Sequence, residues 1–380
     1  MRVMIVVTHL LGTGHLSRAL TLGRAFADDS HDVMIVSGGM PAPQLNSSGL
    51  TMFGLPPLRS DGTNFTRLLT QSGTPADDAY LTARSTALIN VVQSFQPHIL
   101  LTELYPFGRR SLAREFDAML STATSLPDRP IILASVRDIL APPGKPAKIR
   151  QTEDTIHRCY DGVLVHSVDS VTPLNLSWPV SKTLAPRLHY TGFVAPAPPH
   201  PHPQSIGRDE IVVSAGGGSV GQPIFNAALD AARNMSSRRW RLLVGGQDAD
   251  ARMADLRQRA GEAHVTIEKV RPDFRQMLPH VAASVSMCGY NTALDILQSG
   301  APAVFVPFDD GREVEQSLRG QSLSELPAIE VIRNQDLTGS SLSAAIDRVI
   351  SIGPRAVQHV GFDGARRSVE IAKSLWEQRT

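Results

Sequence analysis

Only two cysteines, Cys159 and Cys288, occur in 380 residues, far apart and without CxxC spacing. That scarcity excludes a disulfide framework or a cysteine zinc site and fits a reducing cytoplasm. Long apolar runs are also missing, since nothing approaches the roughly 20 residues that cross a bilayer. The chain therefore reads as soluble or peripherally attached, and its first apolar run, MRVMIVV, is not followed by a cleavage-like region. Charge of one sign is lacking too. The 37 basic and 36 acidic side chains leave a net +1, which provides no field for nucleic acid as a general partner.

What is present is alternation. Short apolar runs, VMIVV, DVMIVS, HILLTE, IILASV and GVLVHS, recur through the first half, each followed by small or polar residues and then by helical spacing. Parallel strands covered by helices have this pattern. After LHYTGFV comes APAPPHPHPQSIGRDE, whose prolines withhold backbone donors and favour extended chain, so residues 195–209 read as a linker. The alternation restarts with EIVVSAGGG, WRLLVGG, HVTIEKV, ASVSMCG and PAVFVPF. The length suits two domains of about 150 to 200 residues. The spacing predicts α/β domains over 1–194 and 210–358. A terminal segment, 359–380, has Val369, Ile371, Ala372, Leu375 and Trp376 at helical spacing and is expected to pack back on the first domain. Open α/β sheets bind ligands beyond the carboxyl ends of their strands, so the residues just after each run, facing an interdomain cleft, are the candidates.

The first run leads into LGTGHLSRALTLGRAF. Gly12 and Gly14 permit a close backbone approach or positive φ, Thr13 lies between them, and His15 and Arg18 project at the start of a helix that Ser17 could cap. An imidazole with an ordinary pKa near 6.5 suits proton removal from a hydroxyl, while the plainer role is a local hydrogen bond. A full GxGxxG is absent and no acidic residue ends DVMIVSGG, so dinucleotide binding is disfavoured. In the second half, Gly216, Gly217, Gly218 and Ser219 follow a strand and suit a diphosphate through their amides and hydroxyl, although no Walker lysine follows. CGYNTALDILQSG places Gly289, Tyr290, Asn291 and Thr292 at a helix start, with Asp295 one turn in. Asp295 could accept ribose hydroxyls, or it could close a capping box with Thr292. Glu315 and Gln316, in GREVEQ, could bind sugar hydroxyls or simply begin a solvated helix. Asp248 to Asp250, in DAD, and the linker pair His200 and His202 are poor metal candidates in their contexts.

Seven stretches, GTGHLSRALTLGRAF, SVRDIL, CYDGVLVHS, HYTGFV, SAGGGSVGQ, CGYNTALDILQSGAPAVFVPF and REVEQSLRG, together resemble the MurG-like glycosyltransferases related to glycosyltransferase family 28. The resemblance spans nearly the whole chain. It implies the GT-B architecture, two Rossmann-like domains with parallel sheets facing a cleft, the first taking the acceptor and the second a nucleotide sugar. It further implies that Asp295, five residues before Gly300-x-Pro302, is the ribose carboxylate, Asp standing where the peptidoglycan enzyme has Glu. Gln316 then corresponds to the sugar-contacting glutamine, Ser219 to the glycine-loop serine and His15 to the histidine of the N-terminal loop. The base is expected near Val270 and Arg271.

The implied reaction is inverting transfer of a sugar from a UDP or dTDP carrier to a hydroxyl on a lipid, glycan or small molecule, with no cofactor and no metal. Arg18 would sit near the diphosphate or orient a neighbour. Glu103, in TELYPFG, and Asp138, in SVRDIL, are rival bases, with salt bridges to Arg109 or Arg137 as their ordinary role. A UDP-sugar hydrolase, an epimerase or a non-catalytic nucleotide-sugar sensor of the same architecture are the alternatives. Leu112, Phe116, Met119 and Leu120 share a predicted helical face beside Arg109, Arg110 and Arg114. That face suits either core packing or the inner surface of a membrane.

Overall fold

The computed structural model describes all residues except 11–12, 44, 62–63, 217–220, 247, 262–263, 309–313, 357–360 and 380. The chain divides into two compact units, Met1–Pro196 with Gly361–Thr380, and Ala197–Val360.

Unit 1 runs β1 (Arg2–Val7), α1 (Gly14–Asp28), β2 (Asp32–Gly39), β3 (Thr51–Asp61), β4 (Asn64–Leu69), α2 (Asp78–Phe95), β5 (Ile99–Glu103), α3 (Ala113–Thr124), β6 (Ile131–Arg137), α4 (Pro146–Cys159), β7 (Gly162–His166) and β8 (Leu188–Tyr190). Its sheet has the order β4-β3-β2-β1-β5-β6-β7-β8. All pairs are parallel except β3 with β4, an antiparallel pair at the sheet edge that the parallel pattern of the sequence did not announce. Strand side chains alternate between faces, so Val3, Ile5 and Val7 pack with Leu16, Leu20 and Phe26 of α1. Met4 and Val6 meet the opposite layer, which holds Leu88 of α2, Phe116 of α3 and Ile156 of α4. Burial on both faces explains why β1 reads as an unbroken apolar run.

The candidate membrane face belongs to that second layer. Leu112, Phe116, Met119 and Leu120 are each at most 2% exposed, so α3 spends its apolar stripe on the core and presents none of it to lipid. Among the described residues no helix is long and apolar enough to cross a membrane.

Unit 2 contains β9 (Glu210–Ser214), α5 (Gln222–Asn234), β10 (Arg239–Val244), α6 (Ala249–Ala260), β11 (Val265–Lys269), α7 (Phe274–Met277), β12 (Ala283–Ser286), α8 (Tyr290–Ser299), β13 (Ala303–Phe305), α9 (Glu315–Leu323), β14 (Ile329–Val331) and α10 (Gly339–Ile352). The order β11-β10-β9-β12-β13-β14 is that of a doubly wound sheet, and every pair is parallel. The last helix, α11 (Gly364–Glu377), returns to unit 1, where Val369 and Ala372 are buried in the α1 layer and Lys373 Nζ lies 2.8 Å from Asp29 Oδ2.

The proline-rich segment is less of a free linker than its composition suggests. From Ala197 onward it belongs to unit 2, and His202 is 6% exposed there, with Nε2 3.1 Å from Asp273 Oδ2 and its amide donating to Gln276 O at 2.8 Å. Prolines without N–H groups can lie along a domain surface at little cost, and one histidine is enough to pin the segment.

Candidate active site

In each sheet the strand order reverses next to the unit's first strand, and ligands gather beyond such switch points. In unit 1 that point lies between β1 and β5. The chain leaving β1 enters α1 and carries His15 in its first turn, while β5 ends on Glu103. Two residues 88 positions apart are thereby joined: His15 Nδ1 lies 2.9 Å from Glu103 Oε2. Arg18, one turn along α1, closes onto Glu103 Oε1.

Hydrogen-bond chemistry assigns the protons. An ionised carboxylate only accepts, so the 2.9 Å contact requires the proton on His15 Nδ1. The 3.3 Å approach of Arg18 Nη2 to that nitrogen then sets two donors side by side and is no bond. Nε2 of the neutral ring keeps its lone pair, and it has no hydrogen-bond partner among the described residues. The ring is 14% exposed, against 1% for Glu103 and 4% for Arg18.

Burial, with Arg109 and Arg137 adding to it, outweighs the pull of Glu103 and lowers the His15 pKa to about 4. The ring is neutral at physiological pH. Burial by itself would raise Glu103, but His15 and Arg18 hold it well below the usual carboxylate range. An uncharged imidazole backed by a fixed carboxylate is a general base with the correct tautomer imposed.

Several expectations change here. Glu103 was a rival base with Arg109 or Arg137 as its ordinary partner; instead it is clamped by His15 and Arg18. Asp138, the other rival, is buried just after β6, one strand farther from the switch point. Ser17 does not cap α1, which begins at Gly14 behind Thr13, and the Ser17 amide bonds Thr13 O inside the helix. Gly14 has no positive φ and open space around its Cα, so its backbone makes no demand for glycine; Gly12 lies outside the described residues.

Of two further groups around the dyad, His166 carried no role in the sequence reading and Arg109 only that of a salt-bridge partner or basic flank. His166 ends β7 and is fully buried, its Nε2 2.8 Å from Ser135 Oγ and its Nδ1 2.9 Å from Thr191 Oγ1; burial lowers its pKa to about 3. Ser135 is the register partner of Glu103, so this neutral pair backs the carboxylate strand. Arg109, at φ 58°, has a buried Nε without a hydrogen bond among the described residues, and burial lowers its pKa to about 10. Only a pattern pairing strand-end residues across the sheet would have found them.

In unit 2 the switch point lies between β9 and β12. Gly216, after β9, is exposed with φ +77°, and α5 begins behind Gly221 at φ +89°, where a Cβ would collide with Ala215 Cβ. Gly217, Gly218 and Ser219 lie outside the described residues. After β12, Gly289 occupies the N-cap of α8 in extended conformation. The helix therefore starts two residues before Thr292, and the Thr292–Asp295 capping box is not formed; Tyr290 is buried, Asn291 exposed and Thr292 half-buried in the first turn. Gly300 ends α8 at φ +70°, as its position in the sequence predicts.

Asp295 is 9% exposed and takes Arg275 Nε on Oδ1 at 2.6 Å. Burial raises its pKa, and the Arg275 guanidinium opposes that. Glu315 is half-buried and its Oε1 accepts from Arg319 Nη2 at 2.9 Å; Arg319, buried to 1%, donates to Cys288 O at 2.8 Å and lies over the Tyr290 ring. This arginine ties α9 to the loop entering α8. Gln316 Oε1 accepts the Phe308 amide at 3.1 Å. The Val270 amide bonds Val244 O at 3.1 Å and its side chain is exposed; Arg271 is held by Asp273. Asp250 pairs with Lys269 at 2.8 Å, and Asp248 stands at the N-cap of α6.

Three comparisons bear on this geometry. Residues 212–359 match the glycosyltransferase family 28 C-terminal domain. A UDP-N-acetylglucosamine--N-acetylmuramyl-(pentapeptide) pyrophosphoryl-undecaprenol N-acetylglucosamine transferase of Levilactobacillus brevis is 30% identical over 138 residues, 36% of this chain and 38% of that protein. Its namesake from Lactiplantibacillus plantarum is 33% identical over 137 residues, 35% and 38% of the two chains. The match thus spans under half the length of these curated relatives. The crystal structure of Acinetobacter baumannii MurG superposes with a TM-score of 0.65 at 14% identity, over 98% of this chain and 99% of that one. That likeness shows the fold, the two Rossmann-like α/β domains of the GT-B architecture.

Proposed function

Because unit 2 carries a glycosyltransferase family 28 C-terminal domain, we propose that this protein transfers a sugar from a nucleoside diphosphate sugar, of UDP or dTDP type, to a hydroxyl acceptor. The observation that carries the reading is the His15–Glu103 dyad, whose Nε2 has no hydrogen-bond partner among the described residues. The acceptor hydroxyl gives its proton to Nε2 as its oxygen attacks the anomeric carbon from the side opposite the diphosphate. The C–O bond to the diphosphate breaks in the same displacement, so the configuration inverts. Glu103 holds Nδ1–H and stabilises the imidazolium that forms, and Arg18 keeps the carboxylate ionised.

The leaving diphosphate gains negative charge, which the N-terminal amides and dipoles of α5 and α8 are suited to stabilise without a metal. One such donor group contributes about 3 kcal/mol to a transition state. Asp295 binds the ribose and Gln316 contacts the sugar. The names of the curated relatives make a lipid-linked sugar the first acceptor to assay, which would place the enzyme in the cytoplasm at the inner face of the membrane.

The test is a thermal-shift screen of UDP, dTDP and GDP sugars, followed by mass-spectrometric search for a glycosylated product with the best donor. Product carrying the opposite anomeric configuration supports the reading. Rapid stoichiometric sugar release in the absence of acceptor would replace it with hydrolysis, and binding with no turnover on any acceptor would leave a sensor.

A further inference from the structure

Arg275, on the short helix α7, holds three groups at once. Its Nε donates to Asp295 Oδ1 at 2.6 Å, and its Nη2 donates to Gln298 Oε1 at 2.8 Å and to Ala197 O at 3.1 Å. Asp295 and Gln298 are three residues apart on α8 and face the same way, so one planar guanidinium spans both. The third bond fixes it to the start of unit 2. A side chain anchored at three points loses little further entropy on holding the carboxylate, and the 2.6 Å charge-assisted bond is of the strong kind.

Asp295 Oδ2, in contrast, makes no hydrogen bond among the described residues, and the side chain keeps 13% exposure. A vicinal diol is chelated by a carboxylate with one hydroxyl on each oxygen, and here Oδ1 already accepts a charge-assisted bond, so it stays satisfied when the hydroxyl facing it is absent. In a site where both oxygens wait for hydroxyls, losing either hydroxyl strands a desolvated acceptor and costs about tenfold or more in affinity. Arg275 supplies the second partner in advance.

We propose that Arg275 is a positioning residue that satisfies one oxygen of Asp295 in advance, so that the site penalises loss of one ribose hydroxyl and tolerates loss of the other. This rests on the reading of Asp295 as the ribose-binding carboxylate. A donor whose ribose lacks the hydroxyl facing Oδ1 is then bound as well as its ribonucleotide counterpart, and the chain tolerates one class of deoxynucleotide carrier.

The experiment is calorimetric titration of the full chain with UDP, 2′-deoxy-UDP and 3′-deoxy-UDP. For the wild type, one deoxy analogue binds within about threefold of UDP and the other about tenfold or more weakly. In Arg275→Met both analogues lose about tenfold relative to that variant's own UDP affinity, while Arg275→Lys, which keeps the charge and one bond, retains the wild-type pattern. Ratios taken within one variant do not move with a general loss of stability. Equal penalties for both analogues in the wild type, or an unchanged pattern in Arg275→Met, overturn the proposal. Asp295→Ala separates the two levels: if it binds UDP as the wild type does, the ribose reading falls and this inference with it. If it weakens UDP while the wild type penalises both analogues equally, only the role of Arg275 falls.

Discussion

Replacing Glu103 with Gln removes one charge from the centre of unit 1 and almost no volume. Two losses follow, and they separate in measurement. The first is structural. Arg18 is 4% exposed and closes on Glu103, so the variant leaves a desolvated guanidinium without its counter-ion. Removing one member of a buried pair costs about 3 to 5 kcal/mol, and the amide oxygen can still accept from Arg18, which places the expected loss near 3. The second loss is catalytic. The amide no longer stabilises an imidazolium, and its NH₂ can meet Nδ1 as a donor, which turns the ring to the wrong tautomer. For a base oriented in this way the expected fall in kcat/KM is about 10³-fold or more. On the proposed reading the nucleotide is held by unit 2, so its affinity should stay within about twofold. Urea denaturation gives the first quantity, initial rates of donor consumption across pH the second, and calorimetric UDP titration the third. A variant that melts earlier yet keeps kcat/KM within about tenfold of the wild type would show that Glu103 merely neutralises Arg18, and the dyad would leave the mechanism.

Four further outcomes are expected. His15→Ala should reduce turnover about 100-fold or more with UDP affinity unchanged, and full turnover in that variant would exclude the imidazole as base. His15 and His166, at about 4 and about 3, lie below the ordinary 6.5, so the unfolded chain takes up protons first. Stability is then complete above pH 6.5 and declines as the pH falls toward 4, with the His15 shift worth about 3 kcal/mol; His15→Gln should flatten part of that slope in denaturation curves. Glu103, held below its ordinary 4.5, begins to lose its contribution as the pH falls past that value, so it adds to the decline at the acid end of this window and continues below it. Gly221→Ala meets both a φ of +89° and Ala215, and should cost about 1 to 3 kcal/mol by thermal unfolding; an unchanged melting point would mean the turn before α5 relaxes freely. Arg319→Met should lower stability by about 3 kcal/mol, because Glu315 and Cys288 O lose a buried donor, and loss of UDP affinity in a still-folded variant would confirm that this arginine shapes the loop before α8.

The candidate site was legible where function rests on local chain geometry. Gly300, which stops α8, and His15, placed at the entrance of α1, were read from spacing because a strand end, a glycine and a helix start are contiguous in the chain. Readings failed where the partner lies far away. Thr292 and Asp295 have capping-box spacing, yet the helix begins earlier and Asp295 turns to Arg275, 20 residues back. Glu315 reads as a solvated helix start, but its neighbour Arg319 is buried by a bond to Cys288 O, 31 positions back, and draws it inward. The stripe from Leu112 to Leu120 fits core and membrane equally as a pattern; only the sheet beneath it decides.

By itself the sequence determined the α/β alternation, the order of most strands along the chain and the chemical types available at each strand end, because strand burial on two faces forces continuous apolar runs and turns demand glycine. Tertiary structure alone decided which of those ends become neighbours. Strand order places β1 beside β5, which brings a histidine and a glutamate 88 residues apart to 2.9 Å, the contact on which the proposed proton transfer rests. Short-range propensity carries no information about that adjacency, since it arises from how the whole sheet assembles.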